Sequence, residues 1–398
     1  MPRGAPGAHC TARPMRQDTV AMPPPSAPLL PSFRIQGFRA FRDLEIPRLG
    51  RVNLIVGKNN VGKTTVLEAL KVYAAGSEAP WEIRELLERR QEIRRGSSRE
   101  STSPQIDLER AFFQPISKDG SPSIELGPSD EEKRLQILPV LLVVSNSPKA
   151  VGDLLIYRAD FEEQAQEGDD FWRVSLGGIA TRHVSARMLG DVRFSKASDI
   201  RQLGRPDPKG VLTCGYLPAR GIDRINIGAL WDSIVLTANE QSTLQALRII
   251  APDIERVSLV EDPRQQGVRY ALIVRKTRST PEPLHSMGDG MNRIFELALS
   301  LVSARDGLFL IDEVENGVHY SAQEQLWRFI FEAASQLNVQ VFATTHSWDC
   351  ITAFQKAASS HAEDGMLISL AQTDGGIKAT VFNEGDLEII TRESIEVR

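Results

Sequence analysis

Gly57, Lys58, Asn59, Asn60, Val61, Gly62, Lys63 and Thr64 follow the short apolar run "RVNLIV" and open a stretch of helical periodicity. Their spacing, G-x-x-x-x-G-K-[ST], suits a loop folded around phosphate oxygens. Gly57 and Gly62 let backbone N–H groups turn inward across Asn59, Asn60 and Val61, and the helix N-terminus adds partial positive charge. Lys63 is spaced to reach the β and γ phosphates of a nucleotide. Thr64, with Thr65 behind it, can offer a hydroxyl to Mg2+, a cation that takes oxygen ligands and keeps water.

Two further stretches put chemistry at strand ends. In "GLFLIDEVENGVHYS" four apolar residues end at Asp312, which fits a Mg2+ carboxylate, and Glu313 beside it can orient a water for in-line attack on the γ phosphate. In "VFATTHSWD" an apolar strand is followed by His346, placed to donate to the γ phosphate and to distinguish triphosphate from diphosphate. A fourth stretch, "SMGDGMNRIFELALSL", sets Ser286, Gly288, Asp289 and Gly290 ahead of apolar residues at helical spacing. A helix opening of this kind binds phosphate through its N–H groups, and Asn292 and Arg293 can add polar contacts. The helix at Thr64 already serves the loop of this chain, so the Ser286 turn is expected to serve a nucleotide held by a second subunit.

The elements that must position these residues are an α/β set. "SFRIQGFRAFRDLEI" reads as one or two strands, and "ILPVLLVV", "RYALIV", "GLFLI" and "VQVFATT" as buried strands. The last two flank a helix expected over 321–336, which makes a parallel crossover unit. A charged helix is expected over 82–95, then a polar linker, "RGSSRESTSP". We expect a disordered tail at 1–31, a lobe carrying the phosphate loop at 32–76, an inserted lid or arm with additional core elements at 77–285, and a closing lobe at 286–398.

Composition narrows the function classes. The 398 residues carry 47 basic and 52 acidic side chains, a formal charge of -5, so no global positive field advertises constitutive nucleic-acid binding, though a local basic groove stays open. Cys10, Cys214 and Cys350 have no paired short spacing and fit a reducing compartment. No run is long and apolar enough to span a bilayer, and a cytoplasmic location without membrane contact is expected. His319, His346 and Cys350 lack the ligand spacing of a structural zinc. Arg39 or Phe41 could touch phosphate or adenine, and Gln114 or Gln105 could link the metal site to the insertion.

Taken in order, "FRAFRDLEI", "VNLIVGKNNVGKTTVLEAL", "SMGDGMNRIFELALSL", "LFLIDEVENGVHYS" and "VFATTHSWD" resemble the ABC-ATPase-like branch that includes SMC, RecF and OLD ATPases, nearest its standalone OLD-like members. The resemblance implies a P-loop NTPase fold, an ABC-like head with a mixed sheet, with ATP and Mg2+ as cofactors. It implies Lys63 and Thr64 on phosphate and metal, Asp312 on Mg2+, Glu313 as catalytic carboxylate and His346 as switch. It also implies Ser286 to Gly290 as the signature turn and Asn316 and Gly317 in a dimer-facing loop. The long coiled coils of SMC proteins have no counterpart here. The stretch after His346 is short for the TOPRIM nuclease domain of full-length OLD proteins, so nuclease activity is not expected of this chain. The resemblance leaves two expectations: an ATP-hydrolysing homodimer with two shared sites, acting in nucleic-acid transactions or phage defence with a separately encoded nuclease, or an ATP-gated scaffold with little turnover that recruits a partner protein.

Overall fold

The computed structural model describes residues 27–94, 105–113, 122–141, 170–186, 189, 212–222, 224–263, 265, 268–361 and 364–393. The tail up to residue 26, the linker "RGSSRESTSP" and Gln114 lie outside the described residues.

Among the described residues, two six-stranded sheets with helices packed against them make up most of the fold. The first is antiparallel. It is built from β1 (Phe33–Phe38), β2 (Phe41–Ile46), β6 (Ile124–Gly127), β7 (Leu135–Leu141), β8 (Asp170–Leu176) and β9 (Ile179–Ser185), in the order β2-β1-β6-β7-β8-β9. The second holds β3 (Val52–Gly57), β10 (Cys214–Leu217), β14 (Leu308–Ile311), β15 (Gln340–Thr344), β16 (Gly365–Thr373) and β17 (Gly376–Phe382). Its order is β10-β14-β15-β3-β16-β17, parallel except for the β16–β17 hairpin, so the sheet is mixed. A short pair, β4 (Ile93–Arg94) and β5 (Gln105–Ile106), and a three-stranded sheet of β11 (Ile254–Glu261), β12 (Arg269–Arg275) and β13 (Arg278–Pro283) complete the strands among the described residues.

The parallel strands are buried on both faces, as continuous apolar runs require. Leu308, Leu310, Phe342 and Ile55 face one core with α1 (Lys63–Ala75), α2 (Ala79–Arg89) and the antiparallel sheet. Phe309, Ile311, Val341 and Leu54 alternate with them into a second core. That core is shared with α3 (Arg224–Ile234), α4 (Ala238–Leu247), α5 (Asp289–Ser303), α6 (Tyr320–Leu337) and α7 (Trp348–Ala358), and α8 (Glu384–Arg392) reaches it through Leu387 and Ile390.

The crossover expected around 321–336 is α6, which His319 caps by accepting from the Ser321 amide and Asn338 ends at φ 53°. The charged helix expected over 82–95 stops at Arg89. The chain reverses there, with Gln91 at φ 57°, and residues 93 and 94 pair with β5 instead. Residues between 77 and 285 add β6 to β9 to the first sheet and β10 to the second.

Candidate functional site

Parallel pairing brings the carboxyl ends of β3, β14 and β15 to one edge: Ile311 is level with Ala343, and Thr344 with Ile55. The loop of residues 58 to 62 leaves β3 there and closes at the N-terminus of α1, which no side chain caps, so its first N–H groups are available to an anion. The loop needs its glycines. Gly62 sits at φ 98°, and a Cβ on it would lie 2.7 Å from the Phe41 ring. Gly57, at φ 146°, passes 2.5 Å from the Leu370 carbonyl oxygen at its Cβ position.

Lys63 Nζ donates to the carbonyls of Gly57, at 2.6 Å, and Lys58, at 3.1 Å, and so braces the loop from inside. Partial burial draws its pKa below the ordinary lysine value, while Asp312, Glu313 and Glu315 pull the other way. Thr64 Oγ1 lies 3.2 Å from Asp312 Oδ1 and 3.3 Å from Oδ2. A hydroxyl and a carboxylate in contact are oxygen donors that Mg2+ can join, with phosphate and water filling the remaining positions. Among the described residues no three His, Cys, Asp or Glu side chains converge on a metal position, and Cys350 is buried with its thiol pushed up to about 12 by desolvation.

Thr344, fully buried, organises both acids: its Oγ1 donates to Asp312 Oδ1 at 2.7 Å and accepts from the Glu313 amide at 2.9 Å. Glu313 holds the left-handed conformation, φ 51°, rare for a side chain of its size. Asn316 Nδ2 donates to Glu313 Oε2 at 2.6 Å. His346 Nδ1 stands 3.8 Å from Glu313 Oε1 and 3.6 Å from Glu315 Oε1, and the His346 amide donates to Glu315 Oε1 at 3.2 Å.

A cleft of about 830 Å3 gathers Asn59, Asn60, Gly62, Lys63, Thr64 and Thr65 with Asp312, Glu313 and Thr344. Three arginines also reach it, Arg39, Arg90 and Arg110. Arg39 is held there by Glu92, 2.8 Å from its Nη2, and Arg90 by Glu68, 2.8 Å from its Nε. Burial raises the pKa of Glu68, and the two arginines oppose that shift. Val61 is packed below the loop beside Gly57, and Gln105 lies in β5.

The Ser286 turn does not line this cleft. A short 3-10 turn of residues 284 to 287 precedes α5, which begins at Asp289. Gly290 is therefore already helical, and its Cβ position is 2.5 Å from the Gly317 carbonyl oxygen of the same chain. Ser286, Gly288 and Asp289 are exposed, and Ser286 Oγ donates to the Pro283 carbonyl at 2.7 Å. Arg293 departs from the expectation that it could touch a nucleotide: it is buried, and its guanidinium points inward to the Asp312 carbonyl, 2.8 Å away. Thr344 and Glu315 were not singled out from sequence. The signal for Thr344 was a hydroxyl directly after the apolar run of Val341, Phe342 and Ala343.

Residues 52–349 match the family model described as "AAA domain, putative AbiEii toxin, Type IV TA system". A curated "ATP/GTP phosphatase" of Helicobacter pylori is 22% identical over 378 residues, covering 90% of this chain and 97% of that protein. An uncharacterised protein of Methanocaldococcus jannaschii is 34% identical over 82 residues, 21% of this chain and 72% of its own length. Among solved structures, the SMC head domain from Thermotoga maritima superposes with a TM-score of 0.46 at 15% identity, over 89% of this chain and 99% of that one. A likeness of that size says nothing of what this chain binds.

Proposed function

This chain belongs to the AbiEii-type AAA-domain family, and from that premise we propose that it binds ATP with Mg2+ in the cleft around Lys63 and hydrolyses it as a slow dimerising switch. It is a P-loop ATPase of the ABC class. The observation that carries the proposal is the meeting of Lys63, Thr64, Asp312, Glu313 and Thr344 at one cleft. The Helicobacter pylori relative, described as an ATP/GTP phosphatase, supports hydrolysis over retention alone.

Mg2+ would supply positive charge to offset the phosphates. Thr64 Oγ1 and the Asp312 carboxylate would hold it. The free N–H groups at the start of α1 donate to phosphate, and Lys63 exchanges the Gly57 and Lys58 carbonyls for phosphate oxygens. Asn316 occupies Glu313 Oε2, which leaves Oε1 to accept a proton from the attacking water. His346, beside that oxygen, is assigned to the γ phosphate.

Ser286, Gly288, Asp289 and Gly290 are assigned to the nucleotide of a second copy, which makes a homodimer with two shared sites. We assign the chain to the OLD- and RecF-like side of the class, in the cytoplasm, acting in nucleic-acid transactions or phage defence with a separately encoded effector such as a nuclease. The region 77–285 supplies β6 to β10 to the two sheets, and what it adds beyond them would be the lid or arm. Among the described residues no helix is long and apolar enough to cross a membrane.

Phosphate release from ATP and from GTP, with Mg2+ and with or without nucleic acid, tests the proposal. Wild-type protein should release phosphate and Lys63→Ala should not, and equal release by the two would remove the assignment. The loss should be one of ligand binding, since a charge-assisted contact is worth about 1.5 to 3 kcal/mol to the phosphates it meets, while the lost brace to the Gly57 and Lys58 carbonyls acts on the loop alone.

A further inference from the structure

The guanidinium of Arg293 is buried at 5% exposure and ends in three backbone carbonyls. Its Nη1 donates to Pro218 at 2.7 Å, and its Nη2 to Asp312 at 2.8 Å and Glu313 at 3.2 Å. Nε has no hydrogen-bond partner among the described residues. A buried, charged, incompletely satisfied group costs stability, so an aliphatic side chain would hold α5 to its core more cheaply. What the arginine adds is a planar fork whose donors fix backbone direction at the two acidic residues.

That direction matters because Glu313 is held at φ 51°, where an ordinary side chain is strained. Its amide is taken by Thr344, its carboxylate by Asn316 and its carbonyl by Arg293. Thr344 and Asn316 belong to β15 and to the loop of Glu313 itself. Arg293 alone of the three comes from α5, one turn beyond the Gly288–Gly290 opening.

We propose that Arg293 is a positioning residue that makes the aim of Glu313 depend on the seating of α5. It rests on the ATPase reading above and extends it: whatever engages the exposed start of α5, a second copy's triphosphate in that reading, adjusts the carboxylate of the same chain. Occupancy of one shared site would then govern hydrolysis at the other.

The test compares Arg293→Met and Arg293→Lys with wild type and Glu313→Gln. Turnover, ATP affinity and amide exchange are measured in each. The Met variant should lose about 100-fold or more in kcat, the scale of a misaimed general base, with ATP affinity within about threefold of wild type. The Val314 and Asn316 amides, bonded to Thr344 and Glu313 carbonyls, should exchange faster. Lys, with a charge but no fork, should recover part of kcat and none of the affinity, which has not changed. Wild-type kcat in the Met variant overturns the proposal, and so does loss of ATP affinity in step with kcat, which marks a general packing role. If the Met variant does not fold, wild-type kcat and exchange in the Lys variant overturn it instead. A wild type no faster than Glu313→Gln defeats the ATPase reading, and the exchange of the two amides then decides the clamp by itself.

Discussion

Thr64 Oγ1 touches the Asp312 carboxylate at 3.2 Å although 248 residues separate them. The contact exists because β3 and β14 lie in one sheet with β15 between them, so the helix that begins at Lys63 faces the acid that ends β14. Thr344, at the end of that intervening strand, completes the contact from the third side.

Thr344→Val keeps shape and removes the hydroxyl that Asp312 accepts from and the Glu313 amide donates to. A buried amide left unpaired costs about 1 to 3 kcal/mol, so thermal unfolding should shift downward. Turnover should fall further than that shift explains, because Glu313 loses a restraint. Thr344→Ser, which restores the hydroxyl, should recover most of both. A Val variant with wild-type turnover would separate Thr344 from the chemistry.

Glu315 accepts from the His346 amide at 3.2 Å, with its side chain 9% exposed. Glu315→Ala should free the start of the His346 loop and lower turnover much as His346→Ala does. In the double variant the two losses should not add, since both act on one imidazole. Full additivity in steady-state phosphate release would mean that Glu315 works elsewhere.

Contiguous motifs were legible in sequence because the phosphate loop, the Asp312–Glu313 pair and the α6 crossover are each set within one short segment. Contacts made across sheets were not. Nothing in "VFATT" says that Thr344 meets Asp312, and the "MNR" of α5 reads as a polar helix start although Arg293 turns under the acids. The helix expected over 82–95 is present to Arg89, and only its end was misread: the chain turns at Gln91, and Ile93 and Arg94 pair with β5.

Shared sites make a mixing experiment informative. Ser286 is exposed, so Ser286→Arg should crowd an approaching subunit without the clash that a side chain at Gly290 meets at Gly317. Lys63→Ala and Ser286→Arg should each be inactive alone. Mixed, they can form a dimer with one site damaged twice and the other intact, so up to about one quarter of wild-type turnover should return, from statistical pairing of subunits into mixed dimers with one working site of two. Wild-type turnover by Ser286→Arg alone would argue that each cleft is complete within one chain, and recovery far below one quarter would mean that an empty site holds back its partner, as the Arg293 clamp requires.

Light scattering of Glu313→Gln protein with ATP and Mg2+, with the nucleotide in the eluted species identified, tests the dimerising ATPase most directly. Loss of the proton acceptor should slow hydrolysis by about 100- to 10,000-fold without loosening Lys63 or Thr64, so bound nucleotide should hold subunits together by linkage. The prediction is a species of twice the monomer mass that contains ATP, absent with ADP and absent in Lys63→Ala. A protein that binds ATP and stays monomeric, or that converts it to ADP at the wild-type rate, would contradict the account.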